Sequence, residues 1–278
     1  EQRHNISVEV NILLELAVIF KSVHVPGECI SPNFVVPKPD GSYRLIFNFK
    51  RCNQAVLYRH FKMDTLNAIL SLVTPGCYMA SIDLKHAYYT IPIAPNNKFL
   101  KFIWNDLLYQ FTALPMGLSS SPRIFTKVMK PVLASLRQKG HINSGFIDDF
   151  YQQRQQFSDC VLNISNTVKL FISLGLHVHP DKCVLTPSQE ILMLGFLINS
   201  LLMIVQLPLE KKEHLRDLCL QTLLGKTSTI QFIASVIGSI VAALPGIEFG
   251  RLHYRNLERD KINAPAQNQG IINVPLNR

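Results

Sequence analysis

Two adjacent carboxylates inside a β-like run constrain the fold of this chain more than any other feature. Asp148 and Asp149 lie between two short strand-like runs, residues 142–147 and 150–151. Charges in such a run disfavour folding unless a partner neutralises them, and a divalent cation is the most direct candidate. A lone Asp-Asp pair is more often a solvated turn, so this interpretation needs support from elsewhere in the chain.

A third carboxylate gives that support, because Asp83 ends a second strand-like run at residues 78–82. Carboxylates at strand ends suit a hard cation bound by oxygen, either Mg²⁺ or Mn²⁺. Pairs of such ions are used in phosphoryl transfer. The sequence therefore predicts that folding brings Asp83, Asp148 and Asp149 together around two divalent ions.

The bulk composition favours a globular protein with a polyanionic partner. Hydrophobic residues make up 47% of the 278 residues and charged residues 17%, which excludes a disordered chain. A net charge of +9 indicates nucleic acid, although a membrane surface attracts a basic protein in the same way. The first residue is Glu rather than Met, which predicts a segment of a longer protein.

Cysteine spacing and the apolar segments predict an intracellular protein, in the cytoplasm or the nucleus. The six cysteines lie far apart without a Cys-x-x-Cys pair, and no signal peptide precedes them, which favours reduced thiols. The apolar stretch 230–244 carries a polar stripe at helical spacing, so it predicts a packed helix and no membrane span. His177, His179 and Cys183 are better explained as incidental polar residues of a strand than as zinc ligands.

Hydrophobic period and turn signals predict an α+β chain whose strands carry the carboxylates and whose helices pack behind them. The predicted strands, besides the hairpin around the two adjacent Asp, are residues 34–36, 43–49, 78–83, 98–104, 107–111, 191–198 and 201–207. The predicted helices are residues 64–73, 119–139 and 158–174, followed by a mostly helical segment at 208–259. Residues 264–278 have the composition of a linker.

Several residues near the carboxylates have side chains that suit a bound nucleotide. Lys38 and Arg44 flank the turn of the first hairpin, where two cations can bind a triphosphate, although solvated turn charges are the commoner explanation. Tyr88 follows Asp83 by five residues, and its ring can lie under the sugar of a nucleotide. Gly117 lies in a loop that enters a predicted helix and lets the backbone approach a flat partner.

Taken in this order, these segments resemble the reverse transcriptases of retroelements and retroviruses. The similar segments are a fingers hairpin (34–48), a first palm motif (81–92), a template-grip loop and helix (114–125), a metal-binding hairpin (146–150), a motif with a lysine (175–183) and a primer grip (194–196). The resemblance covers residues 30–260. Residues 250–258, together with 117–120, look most like the DIRS/Ngaro type of retrotransposon, and a gypsy-like element is the nearest alternative.

The resemblance implies a right-hand polymerase with fingers, a palm of antiparallel sheet backed by helices, and a mostly helical thumb. The implied division is an N-terminal extension (1–29), fingers (30–75), palm (76–207) with a fingers insertion around 95–115, thumb or connection (208–260) and a linker-like tail (261–278). The implied function is RNA-directed DNA polymerase, with an RNA or DNA template–primer and dNTPs as partners. The oligomeric state stays open.

The resemblance also implies a role for each matching residue. Asp83, Asp148 and Asp149 match the catalytic carboxylates that bind two Mg²⁺ (or Mn²⁺) ions. Lys38 and Arg44 match the pair that binds the triphosphate. The remaining matches are Tyr88 with the gate that blocks a ribose 2′-hydroxyl, Met116 and Gly117 with the template-grip loop, and Lys182 with the residue proposed to protonate pyrophosphate.

Three positions depart from the family pattern. Asn48 and His86 stand where Asp is usual or common, and Phe146 replaces the usual Tyr before the metal hairpin. None of them removes a predicted metal ligand. The alternatives left open are an RNA-dependent RNA polymerase with a similar palm, and a decayed or domesticated copy that only binds nucleic acid.

Overall fold

The computed structural model describes residues 2–38, 41, 43–95, 98–224, 228–263 and 271–272. The α-helices are α1 (Gln2–Glu15), α2 (Lys50–Ala55), α3 (Leu66–Leu70), α4 (Ser121–Gln138), α5 (Phe157–Ser173), α6 (Leu209–Leu224), α7 (Ile230–Ala243), α8 (Gly250–His253) and α9 (Arg255–Asn263). The β-strands are β1 (Ile19–Lys21), β2 (Asn33–Pro37), β3 (Tyr43–Phe47), β4 (Tyr78–Lys85), β5 (Lys101–Trp104), β6 (Leu107–Phe111), β7 (Ile142–Phe146), β8 (Asp149–Arg154), β9 (His177–Val178), β10 (Val184–Ser188), β11 (Glu190–Met193), β12 (Phe196–Asn199), β13 (Ile204–Gln206), β14 (Ser228–Thr229) and β15 (Ile271–Ile272).

Boundaries after Leu72, Met79 and Pro187 divide the described chain into two compact units. The first unit contains a sheet in the order β10-β4-β8-β7, with β9 paired to β4. Helices α4 and α5 pack against β7 and β8. Phe125, Phe150 and Phe171 are at most 1% exposed in this core. The core therefore supports the strands that carry the carboxylates.

A second core in the same unit lies around the sheet β1-β6-β5 and the hairpin β2–β3. The ring of Phe47 lies 4.8 Å from Phe102 and 5.0 Å from Phe111, centroid to centroid. Helix α1, which the sequence analysis did not predict, contacts β1, β2 and β3 and buries Ile6 and Val10. It therefore packs against the hairpin that carries the predicted triphosphate-binding cations.

The predicted strand at 191–198 is wrong, because this segment forms the hairpin β11–β12 instead. Leu194 and Gly195 have φ of 49° and 78°, so they form a two-residue turn that reverses the chain. The apolar residues on both sides made the segment resemble one continuous strand.

The predicted helix at 64–73 is shortened to α3. Thr65 caps it, accepting a hydrogen bond from the Ala68 amide. Asp64, which was expected near the helix start, instead accepts hydrogen bonds from the Ser144 hydroxyl (2.7 Å) and the Gly145 amide (3.4 Å). This carboxylate therefore anchors strand β7.

The second unit contains β11–β13 and the helices α6–α9, in agreement with the predicted helical segment at 208–259. Helix α7 buries Ile233, Val236, Ile237 and Ile240, the spacing of a packed helix. In the part of the chain that the structure describes, no helix is both long and apolar enough to cross a bilayer. Within the predicted linker, β15 pairs with β14. The rest of that linker, residues 264–270 and 273–278, lies outside the described residues, and so do residues 39, 40 and 42 of the first hairpin turn.

Candidate active site

A tight turn positions the adjacent carboxylates. Strands β7 and β8 pair in a register that leaves Ile147 and Asp148 as the turn between them. Ile147 has φ of 55°, which is rare for a β-branched residue and is a position where Gly is normal. The Leu84 amide donates a 2.9 Å hydrogen bond to the Asp148 carbonyl, so the turn is held next to Asp83 on β4.

The three carboxyl groups share a crowded, half-buried environment. Burial, the charges of Asp148 and Asp83, and a hydrogen bond with Asp83 raise the pKa of Asp149 to about 6. Burial, and then the charge of Asp83, also raise the pKa of Asp148. Lys182 acts against both increases. The carboxylates therefore retain uncompensated negative charge, which favours a proton or a cation.

We expect this crowding to make the metal-free protein lose stability as the pH rises from about 4 to about 6. The folded-state pKa of Asp149 lies above its ordinary value of 3.8, at about 6. The folded chain therefore binds more protons in this window, and the stability present at low pH is lost as the pH rises through the folded-state pKa. Urea unfolding in EDTA at several pH values measures this contribution. Asp149→Asn should remove it, and an identical pH profile for the variant would contradict the assignment.

The donor set fits a hard divalent cation, although the side chains are not yet arranged around one. Among the residues that the structure describes, no three His, Cys, Asp or Glu side chains form a ready metal site. Asp83 and Asp149 instead hydrogen-bond to each other. All three groups offer oxygen, which Mg²⁺ prefers, and the raised pKa values of Asp148 and Asp149 indicate unneutralised charge.

A cavity of about 270 Å³ opens beside the carboxylates. Its walls bring together most of the residues predicted for substrate and metal binding, namely Lys38, Arg44, Asp83, Met116, Asp148 and Lys182. The charges of Lys182 and Arg44 each act on the pKa of Asp148. The cavity therefore offers cations for phosphate groups close to the carboxylates that would hold a metal.

Tyr88, the predicted sugar gate, lies on the 3₁₀ turn Ala87–Thr90 directly after β4. Its ring packs edge-on against Phe125 of α4, with centroids 5.6 Å apart. Burial and the charge of Asp148 raise the pKa of Tyr88 to about 12, which places the phenol near that carboxylate. The residue is therefore held by the core and close to the predicted metal site.

Some walls of the cavity were missed by the sequence analysis. Tyr89 lines it, with its ring stacked on His86 at 5.9 Å. His179 also lines it, and its amide donates a 2.8 Å hydrogen bond to the Asp83 carbonyl. His179 lies within the lysine motif (175–183), which was a usable signal. Glu9 comes from α1, for which no sequence pattern gave a signal.

Gly117 has a conformation and a contact that exclude a side chain. Its φ is 89°, and a Cβ there would lie 3.1 Å from the Phe47 carbonyl oxygen. The Asn53 side chain bridges the loop, donating to the Gly117 carbonyl (3.0 Å) and accepting from the Ser119 amide (2.8 Å). Helix α2 and strand β3 therefore fix the loop that the sequence predicts to approach the template.

We expect Gly117→Ala to destabilise the protein by about 1–3 kcal/mol, because a residue with a Cβ is strained at this φ and meets the Phe47 carbonyl. Urea unfolding measures the change. Gly175→Ala is the matched control, since Gly175 has φ of 76° with nothing within 4 Å of its added Cβ. Equal losses in the two variants would show that the close contact at Gly117 contributes nothing.

Sequence comparison identifies a family for the region that carries this site. The family model described as reverse transcriptase (RNA-dependent DNA polymerase) matches residues 36–198, which is more than half of the chain. This span includes all three carboxylates, Arg44 and the lysine motif. The family match therefore covers the segments that carry the predicted metal ligands, although helix α1, which adds Glu9 to the cavity, lies outside it.

The curated relatives are viral and transposon polyproteins. The Pro-Pol polyprotein of Simian foamy virus type 1 is 26% identical over 170 residues, which cover 61% of this chain and 14% of that protein. The retrovirus-related Pol polyprotein from transposon gypsy of Drosophila melanogaster is 26% identical over 176 residues, covering 61% of this chain and 17% of that protein. The chain spans less than a fifth of either relative.

Solved structures of foamy viral protease-reverse transcriptase share the fold. One in complex with double-stranded DNA has a TM-score of 0.80 at 24% identity and covers 95% of this chain and 44% of that one. Another, in complex with an RNA/DNA hybrid, has a TM-score of 0.73 at 21% identity and covers 98% of this chain and 34% of that one. The predicted α+β right-hand polymerase fold is thereby confirmed. The chain belongs to the reverse transcriptase (RNA-dependent DNA polymerase) family, as a domain of the type found in retroviral and retrotransposon Pol polyproteins.

Proposed function

We propose that this chain is an RNA-directed DNA polymerase that adds dNTPs to a primer 3′-hydroxyl. The observation that carries the proposal is the convergence of Asp83, Asp148 and Asp149 beside a cavity lined by Lys38, Arg44 and Lys182. Neighbouring carboxylates whose charges raise the pKa of Asp148 and Asp149 are unfavourable in a protein that only binds nucleic acid. They are useful where a divalent ion and a triphosphate bind together.

Residues at different positions in the site have different proposed roles. Asp83 and Asp148, assisted by Asp149, would hold two Mg²⁺ (or Mn²⁺) ions from neighbouring strands. When bound, these ions supply a lowered pKa for the primer hydroxyl and charge compensation for pyrophosphate. Lys38 and Arg44 neutralise β- and γ-phosphate charge from the hairpin, where a guanidinium can make bidentate contacts.

Lys182 is proposed to give a proton to the departing pyrophosphate. It ends the 3₁₀ turn Pro180–Lys182, which His179 fastens to β4 through its hydrogen bond with the Asp83 carbonyl. The charge of Lys182 acts on the pKa of both Asp148 and Asp149, so its ammonium lies near the carboxylates. The site thus combines an acid, two cations and a set of metal ligands in one cavity.

The proposed partner is an RNA or DNA template–primer, in line with the net charge of +9 and with relatives solved on double-stranded DNA and on an RNA/DNA hybrid. Lysines and arginines would contact backbone phosphates without reading bases. We expect the affinity to fall steeply with salt, with a log–log slope of about −0.9 per neutralised phosphate of a duplex. Fluorescence anisotropy at increasing KCl measures the slope, and an affinity independent of salt would contradict the proposal.

We also propose a retroelement subgroup for this chain and a division of the chain into domains. Residues 250–258 and 117–120 support a DIRS/Ngaro-type element, and the coding sequence beside this segment tests it: a recombinase would support the subgroup, and a retroviral-type integrase would contradict it. For the domains we propose the N-terminal extension, fingers, palm, thumb and tail at the boundaries implied by the resemblance. The compact units divide at 187, so β11–β13 group with the thumb helices although the proposed thumb starts at 208.

Extension of oligo-dT on poly-rA tests the function directly. We expect dTTP incorporation that requires Mg²⁺ or Mn²⁺ and stops in EDTA. Preferential incorporation of ribonucleotides would favour the RNA polymerase alternative. Template–primer binding without extension under any metal would favour the decayed or domesticated copy.

A further inference from the structure

The two thiols of Cys29 and Cys52 lie in direct contact in the first unit. Their Sγ atoms are 2.9 Å apart, with the Cys52 thiol donating toward Cys29. The Cys52 sulfur also contacts the Phe99 carbonyl at 3.2 Å and the Ser31 hydroxyl at 3.8 Å. A disulfide needs an S–S distance shorter by only about 0.9 Å. The pair is therefore placed for oxidation by the fold itself, although the two residues are 23 positions apart in sequence.

A cavity of about 420 Å³ reaches both thiols from the surface. Cys29, Cys52, Phe99 and Leu118 line it, and Arg51 adds a cation to its wall. A small anionic disulfide, such as that of a carboxylate-bearing thiol, has both space and a countercharge there. Access to the pair therefore does not require unfolding.

We propose that Cys29 and Cys52 form a reversible redox site that exchanges with low-molecular-weight disulfides of the glutathione class. Cys29, the more exposed of the two, loses its proton to solvent and attacks first. The S–S bond of the small disulfide breaks, a mixed disulfide forms on Cys29, and the departing thiolate takes up a proton to leave as one small thiol. Cys52 then loses its proton to solvent and attacks the Cys29 sulfur, which releases the second small thiol. Two protein thiols are oxidised, and one external disulfide is reduced to two thiols.

The order of attack follows from the environment of each sulfur. Burial, and then the hydrogen bond with Cys29, raise the pKa of Cys52 to about 11. Cys52 is therefore a poor initial nucleophile toward a molecule in solution. Its contact with Cys29 suits Cys52 to the second, intramolecular step. There the high local concentration of the Cys29 mixed disulfide compensates for the low fraction of Cys52 thiolate.

The disulfide would act on the loop at Gly117, and this consequence rests on the proposed polymerase function. Cys52 lies on α2 next to Asn53, whose side chain bridges the Gly117 carbonyl and the Ser119 amide. Drawing Cys52 toward Cys29 displaces this helix relative to the loop. We infer that oxidation weakens the binding of template–primer.

Treatment of the full chain with oxidised glutathione, followed by alkylation and peptide mapping without reductant, tests the redox site. We expect a Cys29–Cys52 cross-link, a mass lower by about 2 Da and loss of two of the six thiols, all reversed by dithiothreitol. Cys52→Ser should stop at a mixed disulfide on Cys29, and Cys29→Ser should not form the cross-link. Cys219→Ser is the matched control and should behave as the wild type. Scattered oxidation, or a mixed disulfide that persists at Cys29 in the wild type, would overturn the proposal.

Anisotropy with a labelled template–primer tests the consequence. We expect the oxidised wild type to bind about threefold to tenfold more weakly than the reduced protein, the effect of one misplaced contact group. Cys29→Ser should bind equally under both conditions. Unchanged affinity of the fully cross-linked protein would overturn the link to the loop. A reduced protein that neither binds nor extends would contradict the polymerase function instead, while the cross-link would still form.

Discussion

Asp148→Asn is expected to lower the rate of primer extension by at least about a thousandfold, because it removes a charged metal ligand whose effect on the transition state is worth several kcal/mol. Asp148 forms the turn between β7 and β8, and its carbonyl accepts the Leu84 amide, a backbone contact that the substitution preserves. The loss should therefore come from chemistry and not from a displaced turn.

The same variant should be at least as stable as the wild type without metal. Burial and the charge of Asp83 raise the pKa of Asp148, which means that its ionised form is disfavoured in the folded state. Asparagine has nearly the same shape and no charge, so it relieves this cost. Urea unfolding in EDTA near pH 7.5 measures the change. A variant that is inactive because it is unfolded would contradict this account.

Asp106→Asn is the control for a turn carboxylate without a catalytic role. Asp106 lies in the turn between β5 and β6, is exposed, and has φ of 59°, a conformation that asparagine also accepts. Its activity and stability should match the wild type. If Asp148→Asn extends primers as fast as Asp106→Asn, the metal role of Asp148 is wrong.

The sequence predicted the charged residues of the site better than the other residues that line its cavity. Asp83 and Asp148 were recognisable because a carboxylate within or beside an apolar strand has few structural explanations. Arg44 gained its predicted role from the family resemblance, and the fold does bring all three residues to one cavity. Tyr89 and Glu9 were not recognisable. Which ring of the Tyr88-Tyr89 pair faces the cavity depends on a 3₁₀ turn after a residue with positive φ, and sequence period does not encode that.

The missed elements have physical reasons of the same kind. Helix α1 has little segregation of apolar residues to one face, and its burial comes from packing on strands that are distant in sequence. The turn at Leu194 was missed because leucine is rarely found at positive φ. Tertiary packing gives α1 its burial, and the turn depends on a backbone conformation that leucine rarely adopts, so residue propensities reveal neither feature.

Tyr88→Ala is expected to lower the preference for dNTPs over rNTPs by about a hundredfold, the scale on which shape alone excludes an added hydroxyl. The ring is fixed on one side by Phe125, at 5.6 Å, and lies near Asp148 on the other. A fixed ring beside the metal ligands cannot move aside for a 2′-hydroxyl, whereas the methyl group of alanine leaves that space open. Single-nucleotide incorporation of dTTP and UTP on poly-rA measures the ratio.

Tyr88→Phe separates the ring from its hydroxyl. Because the exclusion is steric, phenylalanine should keep the preference, while the loss of the phenol near Asp148 changes at most the rate. Tyr89→Ala alters the wall of the cavity that Tyr89 lines and should weaken dNTP and rNTP binding together, since its ring stacks on His86 in that wall. If Tyr89→Ala relaxes the sugar preference and Tyr88→Ala does not, the gate belongs to Tyr89. If neither variant relaxes it, the choice of sugar is made elsewhere in the site, and the case for a DNA polymerase loses its structural basis.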